Sequence, residues 1–211
     1  NGHDPKALEK IWEDWRAFAS YAFNKSHATC YSWVAYQTAY LKANFPSQYM
    51  AGVMSRSLAD ISTISKLMDE CKSMGIHTLG PDVNESLLKF SVTHQGDIRF
   101  GMGAVKGVGE AAVQEILRER EQNGVYKSIY DFVERVNLSA CNKKSLESLA
   151  LAGAFDSLGN IKREQYVTKG DANETFLDEI VRYGNRYQQD KAETTMSLFG
   201  PMETIEIAKP Q

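Results

Sequence analysis

Hydrophobic residues recur every three or four positions over the first 75 residues, which predicts an all-helical segment. Asp4 as N-cap and Pro5 as first helical residue begin an amphipathic helix that is expected to run to about Tyr21. Ser26 is expected to cap the second helix and Pro46 to end it. Two more helices are predicted at residues 46–58 and 60–74.

After Gly80-Pro81-Asp82 the hydrophobic period changes from that of a helix to that of a strand. Apolar residues alternate on both sides of His94-Gln95-Gly96, which predicts a short β-hairpin. Helical spacing then returns, and it predicts short helices at about residues 129–136 and 143–151 and a long polar helix from about Lys162 to Asp190. The predicted fold class is mainly α, with a helical N-terminal lobe followed by a small helical domain that contains the β-hairpin.

The strongest single motif is the glycine turn Lys106-Gly107-Val108-Gly109, which opens directly into a helix from Glu110. Glycine allows tight turns, and a helix N-terminus offers unpaired N–H groups and a partial positive charge, so such a turn can bind phosphate. The pattern resembles a helix-hairpin-helix module with a first helix at about Met102 to Lys106. Two alternatives stay open, a purely structural turn and the dinucleotide fingerprint GxGxxA, although the segment before the turn is too short for a central strand.

A second candidate is the segment 23–27, FNKSH, at the predicted start of the second helix. Asn24, Lys25, Ser26 and His27 supply an amide, an ammonium, a hydroxyl and an imidazole, which together suit a triphosphate near a helix N-terminus. The alternative is that Asn24 and Ser26 only cap the helix while Lys25 and His27 face solvent.

Composition narrows the possible partners and the setting. The 211 residues are 43% hydrophobic with a net charge of −3, which favours globular domains and excludes a histone-like basic binder. The three cysteines lack zinc-ligand spacing, and no apolar run is long enough for a membrane span. We therefore expect a cytoplasmic protein without a membrane, cofactor or metal site in this piece. Because it does not begin with Met, we expect a piece of a longer protein.

Four stretches in order resemble the alpha subunit of bacterial DNA polymerase III, the replicative polymerase. They are FNKSHATCYSWVAYQTAYLKANFPSQYMAGVM, IRFGMGAVKGVGEAAVQEILRERE, YDFVERV and LESLALAGAFDSLG. The resemblance implies that residues 1–85 are the later part of the fingers, 86–160 the helix-hairpin-helix part of the clamp-binding region, 161–190 the long helix and 191–211 a tail.

The resemblance also implies partners for the two candidate sites. Asn24 to His27 would lie near the incoming deoxynucleotide and the template, and Lys106 to Gly109 would contact the backbone of the duplex product. Catalysis in this family uses paired aspartates that hold two Mg²⁺ ions on the palm. Since no Asp-x-Asp occurs in this chain, we expect the palm elsewhere in the parent protein and no activity in this piece.

Near the end of the chain, Thr195-Met196-Ser197-Leu198-Phe199 resembles the peptide with which bacterial polymerases bind their sliding clamp, the beta subunit. Thr195 stands where that pattern has Gln, while Met196, Leu198 and Phe199 keep its hydrophobic positions. The resemblance implies that these four residues bind the clamp. We also expect the tail 191–211 not to pack against its own chain, because it offers little apolar surface.

Overall fold

A computed structural model describes residues 2–21, 25–159, 161–170, 173–196 and 208–210. Contacts within the chain divide it into two compact units, Asn1–Tyr49 and Met50–Gln211. These units are defined by contacts and not by function, so the functional boundaries expected at residues 85, 160 and 190 stay predictions.

The first unit contains the helices α1 (Pro5–Tyr21) and α2 (Lys25–Asn44). Asp4 begins α1 as predicted, because its carboxylate accepts a hydrogen bond from the Lys6 amide at 3.1 Å. The prediction that Ser26 caps α2 is wrong, since the helix already includes Lys25 and Ser26 lies within its first turn. Asn24, which precedes Lys25 and is at least as suitable a cap, lies outside the described residues.

Two further helices, α3 (Pro46–Arg56) and α4 (Ile61–Ser73), confirm the sequence prediction. The carboxylate of Asp60 accepts hydrogen bonds from the amide and the hydroxyl of Thr63, at 3.0 and 2.7 Å, and so begins α4. Gly75 has a φ of +73°, the left-handed conformation that commonly ends a helix. The buried residues of the two helices are Met50, Ala51, Met54, Ile64 and Cys71.

A three-stranded sheet contains the predicted hairpin and one strand that was not predicted. The strands are β1 (Thr78–Leu79), β2 (Ser91–Val92) and β3 (Ile98–Arg99), in the order β1-β3-β2. β2 and β3 form the expected antiparallel hairpin, and β1 pairs in parallel with β3. A strand of two residues has no hydrophobic period of its own, so sequence patterning does not reveal β1.

The helices α5 (Glu110–Asn123), α6 (Ile129–Arg135) and α7 (Lys143–Ala152) lie where the sequence predicts them. The single long helix predicted from Lys162 to Asp190 is wrong, because the chain forms α8 (Arg163–Val167) and α9 (Phe176–Met196) instead. Thr175 and Asp178 exchange hydrogen bonds that start α9 as a new helix, since each side chain accepts from the other residue's amide.

The main hydrophobic core lies among α5 to α9, and it confirms a mainly α fold with a small β element. Aromatic rings fill its centre, with Phe132 between Tyr126 at 4.8 Å and Phe155 at 5.2 Å between ring centroids. Tyr126 donates its hydroxyl hydrogen bond to the carbonyl of Ile116 at 2.9 Å, and burial raises the pKa of that hydroxyl. This core holds α5 and α7, the two helices that shape the glycine turn.

Candidate nucleic-acid interface

A single-turn 3-10 helix, Met102–Ala104, leads into the glycine turn. The amides of Met102 and Gly103 donate hydrogen bonds to the carbonyls of Leu87 and Leu88, at 2.9 and 3.0 Å. A Cβ at Gly103 would lie 2.8 Å from the Leu88 side chain, so this glycine permits close packing. The turn is thus attached to the segment that precedes the β-hairpin. The strand before it, β3, has only two residues and is followed by the 3-10 helix, so the turn lacks the long buried strand that the dinucleotide-fold alternative for GVGEAA requires, and that alternative is wrong.

The turn itself reverses the chain between Val105 and Val108. The Val108 amide donates to the Val105 carbonyl at 3.1 Å. Gly107 has a φ of +91°, which favours glycine, and a Cβ there would lie 2.6 Å from the Ser148 hydroxyl oxygen. The half-buried side chain of Val108 packs against the core, as a plug in the turn is expected to do.

The first residues of α5 present amides to solvent. Gly109 occupies the N-cap position with extended backbone angles and has no side chain to cap the helix. The N–H groups of Gly109, Glu110 and Ala111 donate no hydrogen bond within the part of the chain that the structure describes. All three residues are exposed. Three open donors at the positive end of a 14-residue helix have the chemistry that suits an anion.

Helix α7 supports the turn from behind, which sequence patterning did not reveal. Ser145 is 4% exposed, and its hydroxyl donates to the Gly107 carbonyl at 3.4 Å. Ser148 lies one helical turn further along and faces the same glycine. The Cys141 thiol, just before α7, lies 3.5 Å from the carbonyl of Ala112 in α5, and burial raises its pKa to about 12. These contacts attach the start of α7 to the start of α5.

The same attachment brings a helix with a second exposed lysine, Lys144, to the turn. Lys144 is exposed, and it lies one residue before Ser145 and four before Ser148, the two residues that face Gly107. Its neighbour Lys143 pairs instead with Asp178 at 2.5 Å, an ion pair that heads the causes lowering the pKa of Asp178 to about 2. The motif predicted Lys106, and Lys144 is a second candidate cation on the helix that contacts the turn. The exposed carboxylate of Glu110 opposes them.

The other predicted site residues are only partly described. Lys25, Ser26 and His27 occupy the exposed first turn of α2, and the His27 ring lies 4.3 Å from the Tyr31 ring between centroids. Asn24 lies outside the described residues. So do Leu198 and Phe199, while Thr195 and Met196 end α9 with side chains that are not described.

The tail differs from its prediction at both ends. Residues 191–196 continue α9 instead of forming a separate tail. Beyond the segment 197–207, which lies outside the described residues, Tyr130 donates a hydrogen bond to the Pro210 carbonyl. The Lys209 ammonium lies 5.3 Å from the centroid of the same ring, within the range of a cation–π contact. The expectation that the tail makes no contact with its own chain is therefore wrong for residues 209 and 210, because one aromatic ring offers both contacts.

Two absences concern only the described residues. No group of three or more His, Cys, Asp and Glu side chains is arranged there to hold a metal ion. Likewise, none of the helices in the described ranges is long and apolar enough to cross a membrane.

Comparison with known proteins gives two kinds of similarity. The family profile of the helix-hairpin-helix motif matches residues 75–166, a range that includes the turn and the supporting helix α7. DNA polymerase III subunit alpha of Mycobacterium tuberculosis is 44% identical over 177 residues, and that of Vibrio cholerae is 38% identical over 200 residues. These alignments cover 84% and 95% of this chain, but only 15% and 17% of the relatives. The chain thus spans about one-sixth of the length of these curated relatives.

Proposed function

Because this chain belongs to the family of bacterial DNA polymerase III alpha subunits, we propose that it is a part of a replicative DNA polymerase that binds duplex DNA. The parent protein carries out template-directed DNA synthesis with Mg²⁺ at its palm. The chain described here supplies DNA, nucleotide and clamp contacts and is inactive alone, since it has no Asp-x-Asp pair.

The observation that carries this proposal is the set of open amides at the start of α5. N–H groups at a helix N-terminus bind phosphate oxygens without reference to the base sequence. A Cβ at Gly109 would meet nothing within 4 Å, so the backbone there is uncovered and a DNA strand can approach it closely. Lys106 to Gly109 accordingly hold the phosphates of one strand, and nothing in the turn is placed to distinguish bases.

Lys106 and Lys144 add the long-range attraction that the amides lack. The whole chain has a net charge of −3, so attraction to DNA depends on cations at the site. Lys144 approaches the same phosphates from α7, because Ser145 and Ser148 of that helix contact the turn. Each lysine that neutralises a phosphate contributes to the salt dependence of binding.

The test is duplex binding by this chain, measured by fluorescence anisotropy over a series of salt concentrations. Lys106→Ala and Lys144→Ala are each expected to weaken binding and to reduce the slope of log affinity against log salt by about 0.9. The exposed Lys72 on α4 provides a matched control, and Lys72→Ala should leave the slope unchanged. If Lys106→Ala and Lys144→Ala both keep the salt slope of the parent, neither lysine contacts a phosphate and the proposal is wrong on this point.

The first turn of α2 is proposed to contact the incoming deoxynucleotide. Lys25 offers a point charge and His27 a second donor to the triphosphate, with Asn24 and Ser26 beside them at the helix start. Lys25, Ser26 and His27 are all exposed to solvent.

In the whole polymerase, Lys25→Ala and His27→Ala are expected to raise the KM for deoxynucleotide more than they change DNA affinity, because the contact is with the triphosphate. Steady-state kinetics on primed template measures both quantities. Lys42→Ala, in the last turn of the same helix, is the control for a general loss of positive charge. Normal nucleotide dependence in both site variants would mean that residues 24–27 do not contact the nucleotide.

Thr195, Met196, Leu198 and Phe199 are proposed to bind the sliding clamp. Leu198 and Phe199 suit a hydrophobic pocket, and the polar residues around them suit a segment reached by a partner. The described flanks, the end of α9 and residues 208–210, both belong to the second unit.

A further inference from the structure

A groove lies between α6, α8 and the start of α9, and we call it the Tyr130 groove. Its volume is about 440 Å³, a size typical of ligand sites in proteins. Its apolar lining consists of Tyr130, Ile161 and Phe176, which also pack against the hydrophobic core. The Phe176 ring contacts the ring of the buried Tyr166, 6.0 Å away between centroids. Because the core holds its lining in place, the groove is formed before a ligand arrives.

The polar lining of the groove favours a cation near Tyr130. The polar side chains that line it are Gln165, Thr168, Lys169, Glu174 and Glu179. Glu174 forms an ion pair with Arg182, which neutralises its charge. Burial first, and then the carboxylate of Glu179, raise the pKa of the Tyr130 hydroxyl, so this carboxylate acts close to the ring. A negative charge beside an aromatic ring strengthens the attraction of that ring for a cation.

The chain itself places a lysine and a proline at the edge of this groove. The ammonium of Lys209 lies 5.3 Å from the centroid of the Tyr130 ring, and the Tyr130 hydroxyl donates to the Pro210 carbonyl. Aromatic grooves that recognise extended, proline-containing peptides use contacts of this kind. Ala208 and Lys209 are nevertheless exposed, and none of the described residues 208–210 lines the groove. The described end of the chain therefore contacts Tyr130 and leaves the groove beside it unfilled.

We propose that the Tyr130 groove binds an extended segment of a partner protein in which a lysine precedes a proline. The lysine lies over the Tyr130 ring near Glu179, and the proline carbonyl accepts the hydrogen bond of the Tyr130 hydroxyl. Apolar residues beside this pair pack against Ile161 and Phe176. The chain's own Lys209-Pro210 makes only the first two contacts, so it is a weak competitor that such a segment displaces. This binding does not depend on the DNA contacts proposed above.

The test adds the 211-residue chain to a labelled peptide, Ile-Glu-Ile-Ala-Lys-Pro-Gln, which has the sequence of residues 205–211, and follows fluorescence anisotropy. Tyr130→Leu should weaken binding by about fivefold or more, because it removes the cation–π contact and the hydrogen bond. Tyr130→Phe removes only the hydroxyl and should have a smaller effect, and thermal unfolding checks the fold of both variants. Tyr187→Phe is the matched control, since Tyr187 is also half-buried but does not line the groove.

A double-mutant cycle tests the charge of the groove. Glu179→Gln should weaken binding of the lysine peptide by about threefold, and it should not change binding of the same peptide with methionine in place of lysine. Glu193→Gln is the control for a general loss of negative charge, because Glu193 is exposed and lies about 21 Å further along α9. Lys209→Met in the chain removes the competing cation, so the added lysine peptide should bind this variant more tightly than the parent.

The other possible occupants of the groove give different results. No binding of the peptide to the parent at millimolar concentration, or equal binding to the parent and to Tyr130→Leu, would overturn the proposal. Binding that appears only with Lys209→Met would assign the groove to the chain's own end and would also overturn it. So would a concentration-dependent dimer in sedimentation that Tyr130→Phe weakens, because the occupant would then be a second copy. Duplex binding by Tyr130→Phe should equal that of the parent, so this inference and the proposed DNA contacts can fail independently.

Discussion

Gly109→Val is expected to lower the affinity for duplex DNA by at least a hundredfold while the chain stays folded. A valine at the N-cap would stand over the amides of residues 109–111 and exclude a phosphate from them. Hydrogen bonds to a charged group are worth about 1.5–3 kcal/mol each, and losing two of them corresponds to a hundredfold or more. Anisotropy with a labelled duplex at low salt measures the loss, and thermal unfolding checks the fold.

The structure distinguishes this glycine from its neighbour. A Cβ at Gly109 meets nothing within 4 Å and its φ is −78°, so valine costs the fold little more than a poorer cap. Gly107→Val, by contrast, combines a φ of +91° with a contact of 2.6 Å to Ser148, and we expect it to destabilise the turn as well as block binding. Gly109→Val is therefore the cleaner test of phosphate binding.

Gly80 provides the matched control for this substitution. Its φ lies outside the left-handed region, a Cβ there meets nothing within 4 Å, and it precedes a proline, where valine is readily accommodated. Gly80→Val should leave duplex binding unchanged. A folded Gly109→Val variant that binds duplex as well as the parent would show that the amides of α5 do not contact DNA.

The second large effect is expected at the clamp-binding segment. A double substitution, Leu198→Ala with Phe199→Ala, should weaken binding to the sliding clamp by about a hundredfold or more. Burial of each side chain in a pocket is worth about 1.5–3 kcal/mol, and truncation to alanine forfeits most of it. Calorimetric titration of a peptide spanning residues 191–203 into the clamp of the same source measures the difference.

Two single substitutions sharpen this test. Ser197 occupies the position of the motif where any residue is accepted, so Ser197→Ala should bind like the parent. Thr195→Gln restores the residue that the resemblance expects and should tighten binding by about 0.5–1.5 kcal/mol through one added hydrogen bond. Identical affinities for the parent and the double-alanine peptide would place the clamp site elsewhere.

Sequence patterning predicted best where the determinants are local. Asp60 caps α4 and Gly75 ends it, as their residue types suggest, because capping depends on side chains within a few positions of the helix end. The break between α8 and α9 also has a local signal, because Thr175 and Asp178 have capping-box spacing. The prediction missed this signal because the residues around it continue a long polar helical pattern. The strand β1 had no such signal, because its partner β3 lies twenty residues away.

In the candidate interface, too, the sequence predicted the local features but not the contacts between distant segments. The sequence by itself determined the glycine turn, the helix that follows it and Lys106, because glycine torsions, helix periodicity and the open amides of a first turn are properties of a short stretch of chain. Only the tertiary structure decided that α7, the helix that carries Lys144, supports the turn through Ser145 and Ser148. This contact depends on the packing of α5 to α9 around one core, because the neighbours of each residue are set by how all the helices bury their apolar faces together.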